Sequence, residues 1–164
     1  MTQVGEGGAV GLFSRKAKAA PGPGVVVHRI GTMGQDSDYE TEVVGESKYR
    51  DAILAALQPH RKSLHYKAGR VPVPARIVPL GPRGYFRVAV EIDGRQVGYV
   101  EDAWSKRYAQ TYETIVGVST SEVRLECGAL IIWRAGDPLS DPTVPLGVRL
   151  DLHDDASAQA LLGR

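Results

Sequence analysis

The chain has 164 residues, of which 43% are hydrophobic and 24% charged, and its formal net charge is +1. These values are typical of one soluble globular domain, and no apolar run approaches the roughly 20 residues needed to cross a bilayer. The first residues lack the apolar stretch of a signal peptide, and the single cysteine, Cys127, excludes an internal disulfide framework, so we expect a cytoplasmic protein that does not bind membranes.

Residues 1–40 are predicted to form a flexible tail, because glycine and proline are frequent there and little apolar surface is available for burial. Only Val25–Val27 has the composition of a short strand. The folded domain is predicted to span residues 41–153. Residues 154–164 are predicted to form a C-terminal tail or a short helix.

The domain is predicted to open with a strand and a helix. Thr41–Gly45 is a short apolar strand, and Ser47 is the expected N-cap of a helix that runs to Leu57. Pro59 cannot continue this helix. Residues 60–70 are polar and basic without periodicity, which indicates a loop or an irregular edge.

The middle of the chain is predicted to be β-rich. Val71–Pro74 contains two alternate prolines, which are tolerated on an edge or at the start of a strand, and Ala75–Leu80 has the composition of a strand. Tyr85–Ile92 and Arg95–Val100 flank Asp93-Gly94, the pair favoured in a two-residue type I′ turn. These two segments are therefore predicted to form a hairpin.

The last third of the domain is predicted to contain a helix and two strands. Four apolar residues at helical spacing mark the packing face of the helix, namely Trp104, Tyr108, Tyr112 and Ile115. Ser121–Trp133 and Gly147–Leu152 have strand patterns. The whole order predicts a mainly β protein with helices (α+β), built as a barrel or sheet with one or two packed helices.

The positive charges are unevenly distributed. Residues 52–90 contain seven lysines and arginines and no acid. They are Arg61, Lys62, Lys67, Arg70, Arg76, Arg83 and Arg87. Such a stretch projects positive potential where its side chains converge, and phosphate is the commonest ligand for it. The alternative is that these charges pair with the 12 acids of residues 91–164.

No motif for catalysis is present. The chain lacks a phosphate-binding glycine loop and a Gly-x-Ser-x-Gly nucleophile turn, and its four histidines are scattered. Cys127 lies within an apolar strand pattern, which is typical of an inert core thiol. We therefore expect no catalytic residue, no metal and no cofactor, and favour a binding role.

Three segments, in this order, resemble the HIRAN domain: Val43–Tyr49, Val88–Val100 and Glu101–Tyr112. The first is similar to the family's opening Val-x-Gly strand followed by an aromatic residue, and the second to its central hairpin ending in Gly-Tyr. Together with Gly147–Leu152 the resemblance covers roughly residues 41 to 152. It implies a small barrel related to OB folds that binds single-stranded DNA, especially at a free 3′ end, with Tyr49 near the nucleotide.

One segment departs from the family pattern. Members that grip a DNA end carry a sequence like Asn-Pro-Tyr-Asp-x-Asn before the central hairpin, whereas this chain has Gly81–Phe86 there and retains only Pro82. The carboxylate that would accept a bond from a terminal hydroxyl is missing. We therefore expect no clear 3′-end specificity.

The sequence thus predicts a non-enzymatic module that binds single-stranded nucleic acid, DNA in the first place. The expected phosphate contacts are Lys62, Lys67, Arg70, Arg83 and Arg87, and the expected stacking rings are Tyr49, Tyr66 and either Tyr85 or Phe86. The alternative is a protein-interaction or self-assembly module that kept the barrel and lost the DNA grip, with another protein or a second copy as its partner. An enzyme with an unrecognised site is the third hypothesis.

Overall fold

A closed barrel of six antiparallel strands forms the centre of the protein. The computed structural model describes residues 24–31, 39–64, 69–81 and 87–152. The elements are β1 Val25–Arg29, β2 Thr41–Val44, α1 Arg50–Leu57, β3 Gly69–Leu80, β4 Arg87–Ile92, β5 Arg95–Val100, α2 Asp102–Val118, β6 Glu122–Trp133 and β7 Leu146–Asp151. The strands follow the order β6-β3-β4-β5-β2-β7, and pairing of β7 with β6 closes the ring. The predicted mainly β fold, a barrel with one or two packed helices, is confirmed, and the structure has two helices.

The β4–β5 hairpin forms as predicted. Asp93 and Gly94 have φ angles of 50° and 75°, the left-handed pair that a type I′ turn requires. Val88, Val90 and Ile92 alternate along β4 and are at most 1% exposed. This alternation directs one side of the hairpin into the barrel and leaves the other side on its outer surface.

Strand β3 carries its prolines where it has only one neighbour. Pro72 and Pro74 pair with β6, and β4 begins to pair with β3 only at Arg76. Pro79 pairs with β4, beyond the end of the β6 pairing at Ile77. A proline nitrogen donates no hydrogen bond to a neighbouring strand. In each of the three prolines this nitrogen can lie on the side of β3 that has no neighbour. The predicted edge position of the Val71–Pro74 segment is therefore confirmed, within a strand that continues to Leu80.

Helix α2 packs by the predicted face. Tyr108 and Ile115 are fully buried, and Trp104 and Tyr112 are partly buried against the same core. The Ser105 hydroxyl donates a 2.9 Å hydrogen bond to the Val100 carbonyl and so ties the start of the helix to the end of β5.

The folded part of the chain begins earlier than predicted. Strand β1 pairs in parallel with β6 at residues 122–126, on the edge that β7 occupies farther along, and Ile30 is fully buried. The predicted boundary at residue 41 is therefore too late, because the valines at the start of β1 extend an existing sheet edge. Residues 1–23, 32–38 and 153–164, including the predicted C-terminal helix, lie outside the described residues.

One local prediction between β2 and β3 is wrong. Ser47 does not cap a helix, because the chain leaves β2 through Gly45 (φ 82°) into a 3-10 turn over Glu46–Tyr49 before α1. The segment 60–70, predicted as a loop or irregular edge, begins within a second 3-10 turn, Gln58–Ser63, and ends in the part of β3 that pairs only with β6. Residues 65–68 are outside the described residues.

Candidate nucleic-acid interface

Two tyrosines meet on the outer surface of the barrel, beside the β4–β5 hairpin. Val44 pairs with Tyr99 in the β2–β5 ladder, so the 3-10 turn that follows β2 lies against β5 and brings Tyr49 to Tyr99. A Cβ added at Gly45 would lie 3.7 Å from the Tyr99 ring. The two rings meet edge to face, with centroids 6.0 Å apart and an interplanar angle of 73°.

A chain of hydrogen bonds orients the two hydroxyls. The side-chain amide of Gln96 donates to the Tyr49 oxygen at 3.0 Å, and the Tyr49 hydroxyl donates to the Tyr99 oxygen at 2.9 Å. A phenol hydroxyl has one proton to donate, and Tyr49 donates its proton to the Tyr99 oxygen. The Tyr99 hydroxyl therefore keeps its own proton for an acceptor in a ligand.

The pKa values of the two phenols move in opposite directions. The hydrogen bond from Tyr49 lowers the pKa of Tyr99, and Gln96, Arg87 and Lys48 lower it further. The pKa of Tyr49 is raised, chiefly because its hydroxyl is the donor to Tyr99. The arrangement thus favours negative charge on Tyr99 over Tyr49, as expected for an acceptor surrounded by donors and cations.

Arg87 covers the Tyr99 ring. Its guanidinium carbon lies 3.9 Å from the ring centroid, within the range of a cation–π contact. Tyr99 pairs with Ala89, and Arg87 lies two residues before Ala89 on the same side of β4. The Arg87 side chain therefore reaches the Tyr99 ring diagonally across the two strands. Because Arg87 is exposed, the stacked pair presents a cation and a planar surface together. We call Tyr49, Gln96, Tyr99 and Arg87 the tyrosine cluster.

The structure brings together two of the predicted contact residues and separates others. Tyr49 and Arg87 belong to the tyrosine cluster. Lys62 is exposed on the 3-10 turn after α1, and Arg70 begins β3. Arg87 pairs with Leu80 at the other end of β3, so about 30 Å of strand separates it from Arg70. The other predicted contacts lie outside the described residues, namely Tyr66, Lys67, Arg83, Tyr85 and Phe86.

One cation of the acid-free stretch pairs with the later half of the chain. Arg76 lies 3.8 Å from Glu122, which also accepts a 2.8 Å bond from Arg124. The alternative reading of the basic stretch therefore holds for Arg76. Together with the distance between Arg70 and Arg87, this means that the described cations do not form one continuous groove.

Sequence reasoning missed Tyr99 and Gln96. Both lie in the predicted hairpin, and counting from the Asp93-Gly94 turn correctly pairs Gln96 with Glu91. A register shift between Val90 and Glu91 then places Tyr99 opposite Ala89, whereas the turn alone would place it opposite the buried Val88. The sequence pattern therefore does not place Tyr99 beside Arg87, and it does not place Tyr49 there either, because Tyr49 comes from a different part of the chain.

Metal-ligating side chains and the one thiol were the remaining candidates for reactive chemistry within the described residues. Among them, no group of three or more His, Cys, Asp or Glu side chains could hold a metal ion. The Cys127 thiol is fully buried, and burial raises its pKa, so it lies in the core as predicted and is a poor nucleophile.

Comparison with known proteins returned nothing: no family model, no curated protein and no solved structure matches the chain. The resemblance to the HIRAN domain therefore stays a prediction. Within the described part of the chain, no helix has the length and apolar character needed to span a membrane.

Proposed function

We propose that the protein binds single-stranded nucleic acid, DNA in the first place, through the tyrosine cluster, and that it acts as a binding module rather than an enzyme. The observation that carries this proposal is the guanidinium of Arg87 over the Tyr99 ring, 3.9 Å from its centroid. Bases stack on aromatic rings and on guanidinium planes, and guanidinium groups also pair with phosphates.

The hydrogen-bond chain supports the same ligand. The Tyr99 hydroxyl retains a proton for an acceptor, and phosphate oxygens and base carbonyls are acceptors. Lys48 is exposed and close enough to lower the pKa of Tyr99, so a second cation lies beside the cluster. None of these contacts reads a base sequence or requires a strand end. We therefore propose binding without sequence specificity and without a clear preference for a 3′ end.

Fluorescence anisotropy with a labelled oligothymidine of about ten nucleotides tests the proposal. We expect affinity to fall steeply between about 50 and 300 mM salt. Tyr99→Ala should weaken binding about tenfold or more, since it removes a stacking surface. Arg70→Ala is the matched control, because Arg70 lies at the far end of β3 and should matter little.

Two results would overturn the proposal. One is the absence of salt-sensitive binding to the single-stranded oligonucleotide. The other is a folded Tyr99→Ala variant that binds as the unaltered protein does. If Arg70→Ala and Tyr99→Ala weakened oligonucleotide binding equally, the interface would not be centred on the tyrosine cluster. That result would also count against the proposal.

A further inference from the structure

A row of four alternating charges crosses the outer surface of the sheet, one residue from each of four adjacent strands. Arg29 of β1 pairs with Glu126 of β6, Glu126 pairs with Arg76 of β3, and Arg76 pairs with Glu91 of β4. The residues on either side of Arg76, Glu91 and Glu126 along their strands are buried in the barrel. Because side chains alternate along a strand, these three side chains share the outer face. We call Arg29, Glu126, Arg76 and Glu91 the charge row.

The charge row is incompletely paired within the molecule. Arg29, Glu91 and Glu126 form no hydrogen bond or ion pair with another described residue. Arg76 reaches Glu122 only at 3.8 Å, and its side chain is 34% exposed. The exposed part of the guanidinium can therefore meet a further acceptor, so the row is suited to an additional partner that supplies acceptors and donors in alternation.

The surface around the row has room for such a partner. Arg76, Glu91 and Glu126 line a cavity of about 180 Å³ that is bounded by Pro74 and the β4–β5 turn. Neighbouring strands are about 4.8 Å apart, so the backbone positions of the four residues span about 14 Å along the curved surface of the sheet. A matching partner must therefore present at least four charges at this spacing and in the opposite order.

A second copy of the chain meets this requirement by symmetry. A two-fold rotation about an axis between Glu126 and Arg76 reverses the row, and the reversed sequence of signs is complementary to the original. Arg29 then faces Glu91 of the partner subunit, and Glu126 faces Arg76 of the partner subunit. The axis repeats both pairs, which gives four ion pairs in an isologous interface.

We propose that two copies of the protein associate through the charge row. This gives a defined surface to self-assembly, which the sequence analysis held only as the alternative to nucleic-acid binding. Exposed ion pairs are individually weak and are screened by salt, so the dimer should be weak at low salt and should dissociate as salt is added. The tyrosine cluster lies beyond the Glu91 end of the row, so each copy keeps its own cluster at one end of the interface.

Sedimentation equilibrium of the full chain, without nucleic acid, tests the proposal. We expect a monomer–dimer equilibrium at about 50 mM salt whose dissociation constant rises about tenfold or more by about 500 mM. Glu91→Arg places arginine opposite arginine and should shift the protein to monomer, as should Arg29→Glu. The double variant Arg29→Glu with Glu91→Arg restores opposite charges and should restore the dimer.

The control is Glu40→Arg, which makes the same change in net charge at an exposed residue outside the row and should leave the dimer unchanged. Circular dichroism establishes that each variant is folded, and the salt titration of the unaltered protein needs no variant at all. A protein that stays monomeric at about 1 mM and low salt would overturn the proposal. So would single variants that still dimerise, or a folded double variant that remains monomeric.

Discussion

Two arginines from the same acid-free stretch, Arg76 and Arg87, end in different surroundings on one barrel. Arg76 lies between two glutamates in the ladder and contacts a third, Glu122. Arg87 lies over the ring of Tyr99, at the end of β4 away from those acids. The local composition of the chain is therefore a poor guide to surface potential, because cross-strand register decides which charges become neighbours.

The comparison assigns different partners to two regions. The tyrosine cluster combines cations, rings and an available hydroxyl proton, which suits a polyanion with stacked bases. The charge row combines both signs in alternation, which suits a protein surface with the same alternation. The two regions are separated by one step in the ladder, where Glu91 pairs with Gln96, so substitutions can be chosen that act on one region and leave the other intact.

We expect the largest effect on stability and oligonucleotide binding from Gly98→Ala, which should disrupt the tyrosine cluster and leave the charge row intact. A Cβ at Gly98 would overlap the Val43 side chain and would lie 2.8 Å from the Val44 carbonyl oxygen. Strand β2 would have to move away from β5, and Tyr49 would move with it. We expect a loss of about 2–3 kcal/mol in the free energy of unfolding and weaker oligonucleotide binding, measured by urea denaturation and by anisotropy.

Gly117→Ala is the matched control for this prediction. Gly117 lies in α2, and a Cβ there would meet nothing within 4 Å, so the change should leave stability equal or raise it by up to about 1 kcal/mol. Dimerisation of folded Gly98→Ala should be preserved, since the charge row does not include β2. A Gly98→Ala protein as stable as the Gly117→Ala protein would show that β2 and β5 are not held so closely.

A smaller effect is expected from removing the two arginines one at a time. Arg87→Ala should weaken oligonucleotide binding about tenfold at low salt, and the slope of log affinity against log salt should fall by about 0.7, as for one phosphate contact on a single strand. Arg76→Ala should change oligonucleotide affinity by less than about twofold, because Glu122 and the neighbouring glutamates already offset its charge. Anisotropy over a series of salt concentrations measures both, and equal losses for the two variants would remove the distinction between the regions.

The sequence predicts the fold better than it predicts either surface region. The hairpin, the α2 face and the barrel class follow from local signals, namely the Asp-Gly turn, helical spacing and alternation. Tyr49 and Arg87 were both predicted, each from its own segment. Their contact through Tyr99 was not, because it depends on β2 pairing with β5, a contact between residues more than 50 positions apart in the chain. The charge row was inaccessible for the same reason, since its four members come from strands whose order in the sheet is not their order in the sequence.

The smallest effect is expected from alkaline pH, which should act on the tyrosine cluster and spare the charge row. The pKa of Tyr99 is lowered by its donors and by Arg87 and Lys48, so Tyr99 ionises before an ordinary tyrosine, whose pKa is about 10. Ionised Tyr99 has lost its donor and carries a negative charge beside the phosphates. Oligonucleotide affinity should therefore be constant at neutral pH and fall a few-fold as the pH rises through the pKa of Tyr99.

Tyr99→Phe tests the origin of this pH dependence, because it keeps the ring under Arg87 and removes the titrating group. Its affinity should be lower at neutral pH, because the hydroxyl that donates to the ligand is gone, and should no longer fall over the same range, because the titrating group has been removed. The dimer provides the comparison within one protein: the charge row contains no tyrosine, so its dissociation constant should not follow the ionisation of Tyr99. A parallel pH dependence of both equilibria would indicate a change in the whole barrel rather than the ionisation of Tyr99.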